Sequence, residues 1–502
     1  MLALIHSLAQ VPFAKPHIDY HALAPEIVLT VLAVSLLIAD LFIDETRKYV
    51  ITTIAGVGVI AALIPIVTLA VDGSDRSLFG GAYVVDNFAL LLKALFLVAG
   101  YLTLLMSSNY LQEGDYYEGE FSFLVVCSLL GMVVMASSRD LITIFVALET
   151  LSIPGYLLAG WRKRDRKSNE AALKYYLLGV VASAIMLYGM SLVYGITGST
   201  LLIDIGAKLP TITDGKPLAA IGILMVIIGF AFKVSAVPFH QWAPDTYEGA
   251  PTPVTAFLSV ASKAAGFVAL MELIFIGFVG RPNVWAPIFW VLAALTMTVG
   301  NLIALRQTNI VRLLAYSGIA QAGYMLVPFA VAGDNNAAQK SAFTAILVYL
   351  ISYAAMTLGA FMMVIAIARK TRSGEISSLG GLFEYAPGLT VVMSVFVASL
   401  IGIPPLVGFW GKLFVFRAVL DAGTGWALFL GVIASVNAVI ALGYYGTLLR
   451  TMWMKPVPDG DRRPIKVPQS LVVGLAICAL AVVAGGIYPQ VFTRFGDLAR
   501  FF

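Results

Sequence analysis

Five lysines, Lys93, Lys174, Lys233, Lys263 and Lys412, and the glutamate Glu149 stand inside long apolar runs of this chain. A charged side chain at the centre of a membrane helix costs about 2.5–3.5 kcal/mol on insertion scales, so such groups are as a rule partnered and put to use. The chemistry open to lysine, glutamate and the nearby His240 is proton transfer, because each has one form that gives a proton and one that takes it. A free lysine holds its proton at neutral pH. A relay through lysine therefore needs burial and cationic neighbours to weaken that hold, by roughly 4 kcal/mol. A carboxylate acts in the opposite sense: Glu149 close to Lys233 favours the charged lysine, and separation favours the neutral one. A static ion pair between two helices is the alternative for the same residues.

The remaining ionisable positions divide in the same way. Lys174 follows Glu170 by four residues, so it fits an ordinary i, i+4 pair as well as a relay. Lys93 reads as a snorkelling or structurally paired lysine. Tyr316 and Tyr444 are hydroxyls that could order water chains. His6, His17 and His21 have neither helix spacing nor carboxylate company, which argues against a metal site. Cys127 and Cys478 stand far apart without a CxxC or a histidine partner, so no metal–thiolate cluster, disulfide framework or redox centre is expected.

The elements that must position these groups are membrane helices. Of 502 residues, 60% are hydrophobic and 12% charged, and the mean hydropathy is +0.91; a water-soluble fold of this size could not cover such a composition with polar surface. At about 20 apolar residues per crossing, the sequence predicts fourteen spans: 24–43, 50–71, 86–106, 121–137, 141–161, 171–195, 217–238, 254–279, 286–305, 311–331, 338–368, 387–416, 426–453 and 470–488. The longest polar connections, 196–216, 369–386 and 454–469, are too short for an inserted soluble domain. The start of the chain lacks the basic n-region of a signal peptide.

Two spans carry breakers beside a lysine. Pro238 follows Lys233, and Pro404 and Pro405 precede Lys412; each proline removes a backbone donor and frees carbonyls for water or cations. Paired broken helices of this kind suggest a transporter built from two related halves. The loop side led by Arg162, Lys163, Arg164, Arg166 and Lys167 holds the larger share of basic residues, which predicts that side as cytoplasmic and both termini outside. The net charge of +4 is small and confined to short loops, so nucleic acid is not an expected partner.

Three long blocks, VPFHQWAPDTYEGAPTPVTAFLSVASK, NLIALRQTNIVRLLAYSGIAQAGYM and GIPPLVGFWGK, resemble the antiporter-like subunits of respiratory complex I, which are similar to subunits of multisubunit cation/proton antiporters. The resemblance covers about residues 25–490 and is nearest to the N-type subunit of bacterial NADH:quinone oxidoreductase, the counterpart of mitochondrial subunit 2. M-type subunits are expected to carry glutamate where this chain has Lys412, and L-type subunits to continue into a long lateral helix.

The resemblance implies an all-α polytopic membrane protein of about 14 transmembrane helices. Three N-terminal helices (about 1–106) would precede two five-helix inverted repeats (about 121–279 and 286–453), broken at helices 7 and 12, and a last helix (about 470–488). It implies a proton-translocating role coupled to electron transfer from NADH to quinone elsewhere in the complex. Glu149 and Lys233 would form the coupled pair, Lys263 the central relay and Lys412 the terminal group; His240 would assist, Lys174 would tune the pair, and Tyr316 has a less defined part. No cofactor is expected on this chain, with FMN, iron–sulfur clusters and quinone on other subunits. Expected partners are the adjacent membrane-arm subunits K and M, lipids and protons, in the bacterial inner membrane. A cation/proton antiporter subunit without a redox partner is the alternative function, and a purely structural membrane spacer a third.

Overall fold

In the computed structural model, residues 18–44, 47–114, 116, 119–212, 215–458, 460–490 and 493–494 are described. Thirteen helices among them are long and apolar enough to cross a membrane. The twelfth span adds a fourteenth crossing in two pieces, Pro387–Ile401 and Val407–Ala422. The protein is an all-α polytopic membrane protein, and the helices fall at the fourteen expected spans. The third, however, runs on to Gly114 and the twelfth to Ala422, beyond the expected ends at 106 and 416, and the seventh breaks at Lys233 before the expected end at 238.

Burial sorts the spans into an interior and a lipid-facing ring. The eighth span, Thr252–Gly277, is 94% buried over its most apolar stretch, against 33% for the first, second, sixth and thirteenth spans. The tenth (Ile310–Val331) and eleventh (Asn336–Thr371) are nearly as enclosed as the eighth. The peripheral spans turn Val31, Leu41, Val57, Val181, Val432 and Val439 outward, the surface that hydrocarbon rather than water can cover. Lys263 lies on the eighth span and Gln321 on the tenth, so the interior helices are also those that carry ionisable and amide groups.

Local chemistry explains the helix ends. Asp140 caps the fifth span (Leu141–Ala159) by accepting from the backbone N–H groups of Ile142 and Thr143, at 2.8 and 3.1 Å. Asn309 caps the tenth span in the same way, each satisfying donors that the helix leaves open.

The two breaks fall where the prolines predict. The seventh span stops at Lys233 and resumes as Trp242–Gly249, and the twelfth stops at Ile401 and resumes at Val407. Val237–Pro238 and Pro404–Pro405 are cis peptides. The chain enters the seventh span from the Arg139 edge and the twelfth from the opposite, Arg162 edge, so the broken helices run antiparallel.

Three features were not legible in the sequence. A two-stranded antiparallel hairpin, Arg76–Leu78 with Tyr83–Val85, sits at the Arg139 edge and adds a small β element to the all-α frame. The connection between the sixth and seventh spans holds a short helix, Leu202–Lys208. The eighth span contains two π-helical turns, Leu258–Ser262 immediately before Lys263 and Leu273–Gly277 immediately after Glu272, the kind of local widening often found at functional sites.

Candidate functional site

Lys233, Lys263 and Lys412 all point into the protein, with 4%, 1% and 7% of their surface exposed. Lys233 closes the first half of the seventh span. Its ammonium donates to Ser152 Oγ at 2.9 Å and to Tyr175 OH at 3.2 Å. Tyr175 is held in place by stacking on Trp242, with ring centroids 4.4 Å apart. The Trp242 indole in turn donates to Phe232 O at 2.9 Å, so a side chain takes up a carbonyl at the helix break.

Glu149 is half-buried on the fifth span, one turn before Ser152, and accepts from Ser183 Oγ at 2.6 Å. The expected contact between Glu149 and Lys233 is not made: each is satisfied by hydroxyls, and no ion pair joins them. Ser152, Ser183, Tyr156 and Lys233 line one cavity of about 10 Å³, close to the room needed by a single water molecule.

Lys263 donates to Gly318 O of the tenth span at 3.0 Å, and its ammonium lies 6.0 Å from the Tyr353 ring centroid. One turn beyond Lys263, Gly266 packs on the Lys233 stem; a Cβ there would lie 3.1 Å from Lys233 Cγ. Lys412 donates to Ile401 O at 2.6 Å and Leu400 O at 3.3 Å, the carbonyls freed at the twelfth break. Its ammonium stands 5.0 Å from the Tyr324 ring centroid. Gly402 ends this half-helix at φ +95°, a conformation suited to glycine, and a Cβ there would meet Lys412 Cδ at 3.0 Å.

Side chains that the sequence reading passed over connect these lysines. On the tenth span, Gly318 O meets Lys263, Ser317 bonds Tyr445, and Gln321 one turn on donates to Leu400 O at 3.0 Å. Leu400 O is thus shared by Gln321 and Lys412, while Tyr349 donates to the Gln321 carbonyl oxygen. A buried amide in LLAYSGIAQAGYM was the signal available in sequence. Tyr444, expected near water, donates to Asn301 Oδ1 at 3.1 Å.

The remaining expected residues fall elsewhere. Lys174 bonds Glu170 at 2.7 Å and Asp245 at 2.8 Å near the Arg162 edge, not Glu149. Asp245 and Glu248 both bind Arg312, at 2.9 and 2.8 Å, so this network anchors the second half of the seventh span to its neighbours. His240 is half-buried in the turn between the two halves; its Nδ1 is buried without a hydrogen-bond partner among the described residues. Tyr316 packs on the core and makes no side-chain hydrogen bond among the described residues. Lys93 pairs with Glu26 at 2.8 Å. His21 bonds Thr68, whereas His6, His17 and the rest of the chain's start, residues 1–17, lie outside the described residues. Among the described residues no group of His, Cys, Asp and Glu is arranged to hold a metal.

Residues 138–437, which contain Glu149, Lys174, Lys233, Lys263 and Lys412, match the family described as NADH:quinone oxidoreductase/Mrp antiporter, transmembrane. The chain belongs to this family. Among family members, NADH-quinone oxidoreductase subunit N of Trichlorobacter lovleyi is 38% identical over 96% of this chain and 97% of its own length. Subunit N of Moorella thermoacetica is 39% identical over 95% and 97%. A chain of respiratory complex I from Thermus thermophilus superimposes with a TM-score of 0.76 at 32% identity, covering 94% of this chain and 98% of its own. A chain of the Mrp complex from Dietzia shares the fold, with a TM-score of 0.82 at 21% identity and coverage of 96% and 97%.

Proposed function

We propose that this chain is the proton-translocating N-type membrane-arm subunit of an NADH:quinone oxidoreductase, and that protons move along Glu149, Lys233, Lys263 and Lys412. The observation that carries this reading is that the three lysines are buried in the interior and tied to one another's helices through the tenth span and the Gly266 contact. Relatives named subunit N, alike over nearly their whole length, supply the redox partner.

In this mechanism the Lys233 ammonium exchanges its proton through groups able both to donate and to accept, Ser152 and Tyr175. Approach of Glu149 favours the charged lysine, and the separated arrangement, with Glu149 on Ser183, favours release toward Lys263. Redox work done on other subunits, which hold the FMN, iron–sulfur clusters and quinone, reaches the pair as an electrostatic change along the membrane. Export then runs against a potential worth about 2.3 kcal/mol per charge per 100 mV. The basic Arg162 edge is the cytoplasmic side of the bacterial inner membrane, both termini are periplasmic, and the neighbours are subunits K and M. His240 and Lys174 modulate the path from its flank.

In reconstituted vesicles, Lys233→Ala and Glu149→Ala assemblies should lose proton uptake and coupled quinone reduction. Wild-type values for both would refute the relay. Co-migration with NADH-oxidising activity on a native gel separates this reading from a cation/proton antiporter without a redox partner, which would migrate apart from that activity.

A further inference from the structure

At the Arg139 edge, away from the lysine line, five more ionisable side chains pack together. Glu272, fully buried on the eighth span nine residues beyond Lys263, accepts from Arg139 Nη1 at 2.6 Å. Arg139 Nη2 reaches Asp86 at 2.9 Å, and the Asp86 side chain is 20% exposed. Seven residues beyond Asp86, which precedes the third span and accepts from its Ala89 N–H, the buried Lys93 binds Glu26 at 2.8 Å and Tyr83 OH at 2.8 Å. Tyr83 also bonds Glu26. The hairpin that carries Tyr83, the first, third and eighth spans, and the connection ahead of the fifth thus converge on one polar knot.

Among the described residues its charges do not balance. Glu26, Asp86 and Glu272 are three carboxyls, and Lys93 and Arg139 are two cations. With every group ionised, the knot keeps one negative charge in a buried setting, where an unmatched charge is costly. Glu272 Oε2 is an independent sign of strain on the ionised form, since it is buried with no hydrogen-bond donor among the described residues to offset a negative charge.

We propose that this knot is a proton-holding site, with one proton taken up by the Glu272 carboxyl, and that it exchanges protons with the aqueous face on the Asp86 side. Loading converts the Glu272 carboxylate to the acid. Release restores the Glu272 carboxylate and delivers the proton to water on the Asp86 side, leaving Arg139 charged throughout. The site deepens the relay reading, which it rests on for its use in transport, by giving the Arg139 edge a proton acceptor of its own.

Infrared spectroscopy of the purified intact assembly in H2O and D2O at neutral pH tests it through the protonated-carboxyl C=O stretch. The wild type should show one such band that is lost in Glu272→Gln and retained, shifted, in Glu272→Asp. Asp86→Asn leaves two carboxyls against two cations and should also abolish the band, although Glu272 itself is untouched; a merely structural clamp would not produce that result. Absence of the band from the wild type, or its survival in Asp86→Asn, overturns the proposal. If Glu272→Gln does not assemble, Asp86→Asn decides alone. Lys233→Ala disables the relay but leaves this band in place, so normal transport in that variant would sink the relay reading and not the site.

Discussion

The two broken helices hold their lysines in opposite ways. At the seventh break, Lys233 is received by side-chain hydroxyls, Ser152 and Tyr175, and the Phe232 carbonyl is occupied by the Trp242 indole. At the twelfth, Lys412 is received by the bare carbonyls of Leu400 and Ile401. Hydroxyls rotate and can either accept from an ammonium or donate to an amine. Carbonyls at a helix C-terminus are fixed, accept only, and carry about half a negative charge between them. The first break suits a lysine that changes protonation readily, and the second biases the terminal lysine toward its charged form.

The sharpest way to break this comparison is to fix the charge at both positions. Lys233→Arg installs a guanidinium that cannot be deprotonated, and proton transport should fall by roughly 100-fold, the scale of a lost acid–base group. Lys412→Arg should also impair transport but by less, because the carbonyl cradle already favours the charged form and still receives a cation. Equal losses in vesicle proton-uptake assays would end the distinction.

A smaller effect comes from the hydroxyls themselves. Ser152→Ala removes one acceptor of a charged donor, worth about 1.5 kcal/mol, and should slow transport by about tenfold; Ser152→Thr should restore it. Unchanged transport in Ser152→Ala would show that Tyr175 alone suffices.

The smallest effects concern the backbone. Gly402 has φ +95° and Ser235, at the seventh break, has φ +61°. Gly402→Ala should destabilise by about 1–2 kcal/mol and disturb Lys412, whose Cδ would meet the new Cβ. Ser235→Gly should change stability by less than about 1 kcal/mol. Thermal inactivation of the assembled protein reads both, and a Gly402→Ala variant as stable as the wild type would show that the twelfth cradle tolerates displacement.

Much of this arrangement was legible before any fold was known. The fourteen crossings follow from apolar run lengths, and both breaks from Pro238, Pro404 and Pro405 beside lysines. The partners were not legible, because serine, tyrosine and carbonyl oxygen are common in membrane helices and become acceptors only when two helices meet. Glu272, in FVALMELIF, did carry the signal of a buried acid, but its meaning depends on Arg139, 133 residues earlier. Arg139 itself reads as a loop-edge charge in sequence and is buried in the fold, 7% exposed.

Sequence by itself determined that the chain lives in the membrane, how many times it crosses, and which crossings are interrupted, since hydrocarbon enforces helix length and proline denies a backbone bond whatever the neighbours are. Tertiary structure alone decided what each buried charge touches: that Glu149 and Lys233 stand apart on separate serines, that Lys412 rests on a helix end, and that five distant ionisable residues share one knot at the Arg139 edge. The reason is that a charge in a low-dielectric interior is governed by atoms within a few ångströms, and those atoms come from helices far apart in the chain.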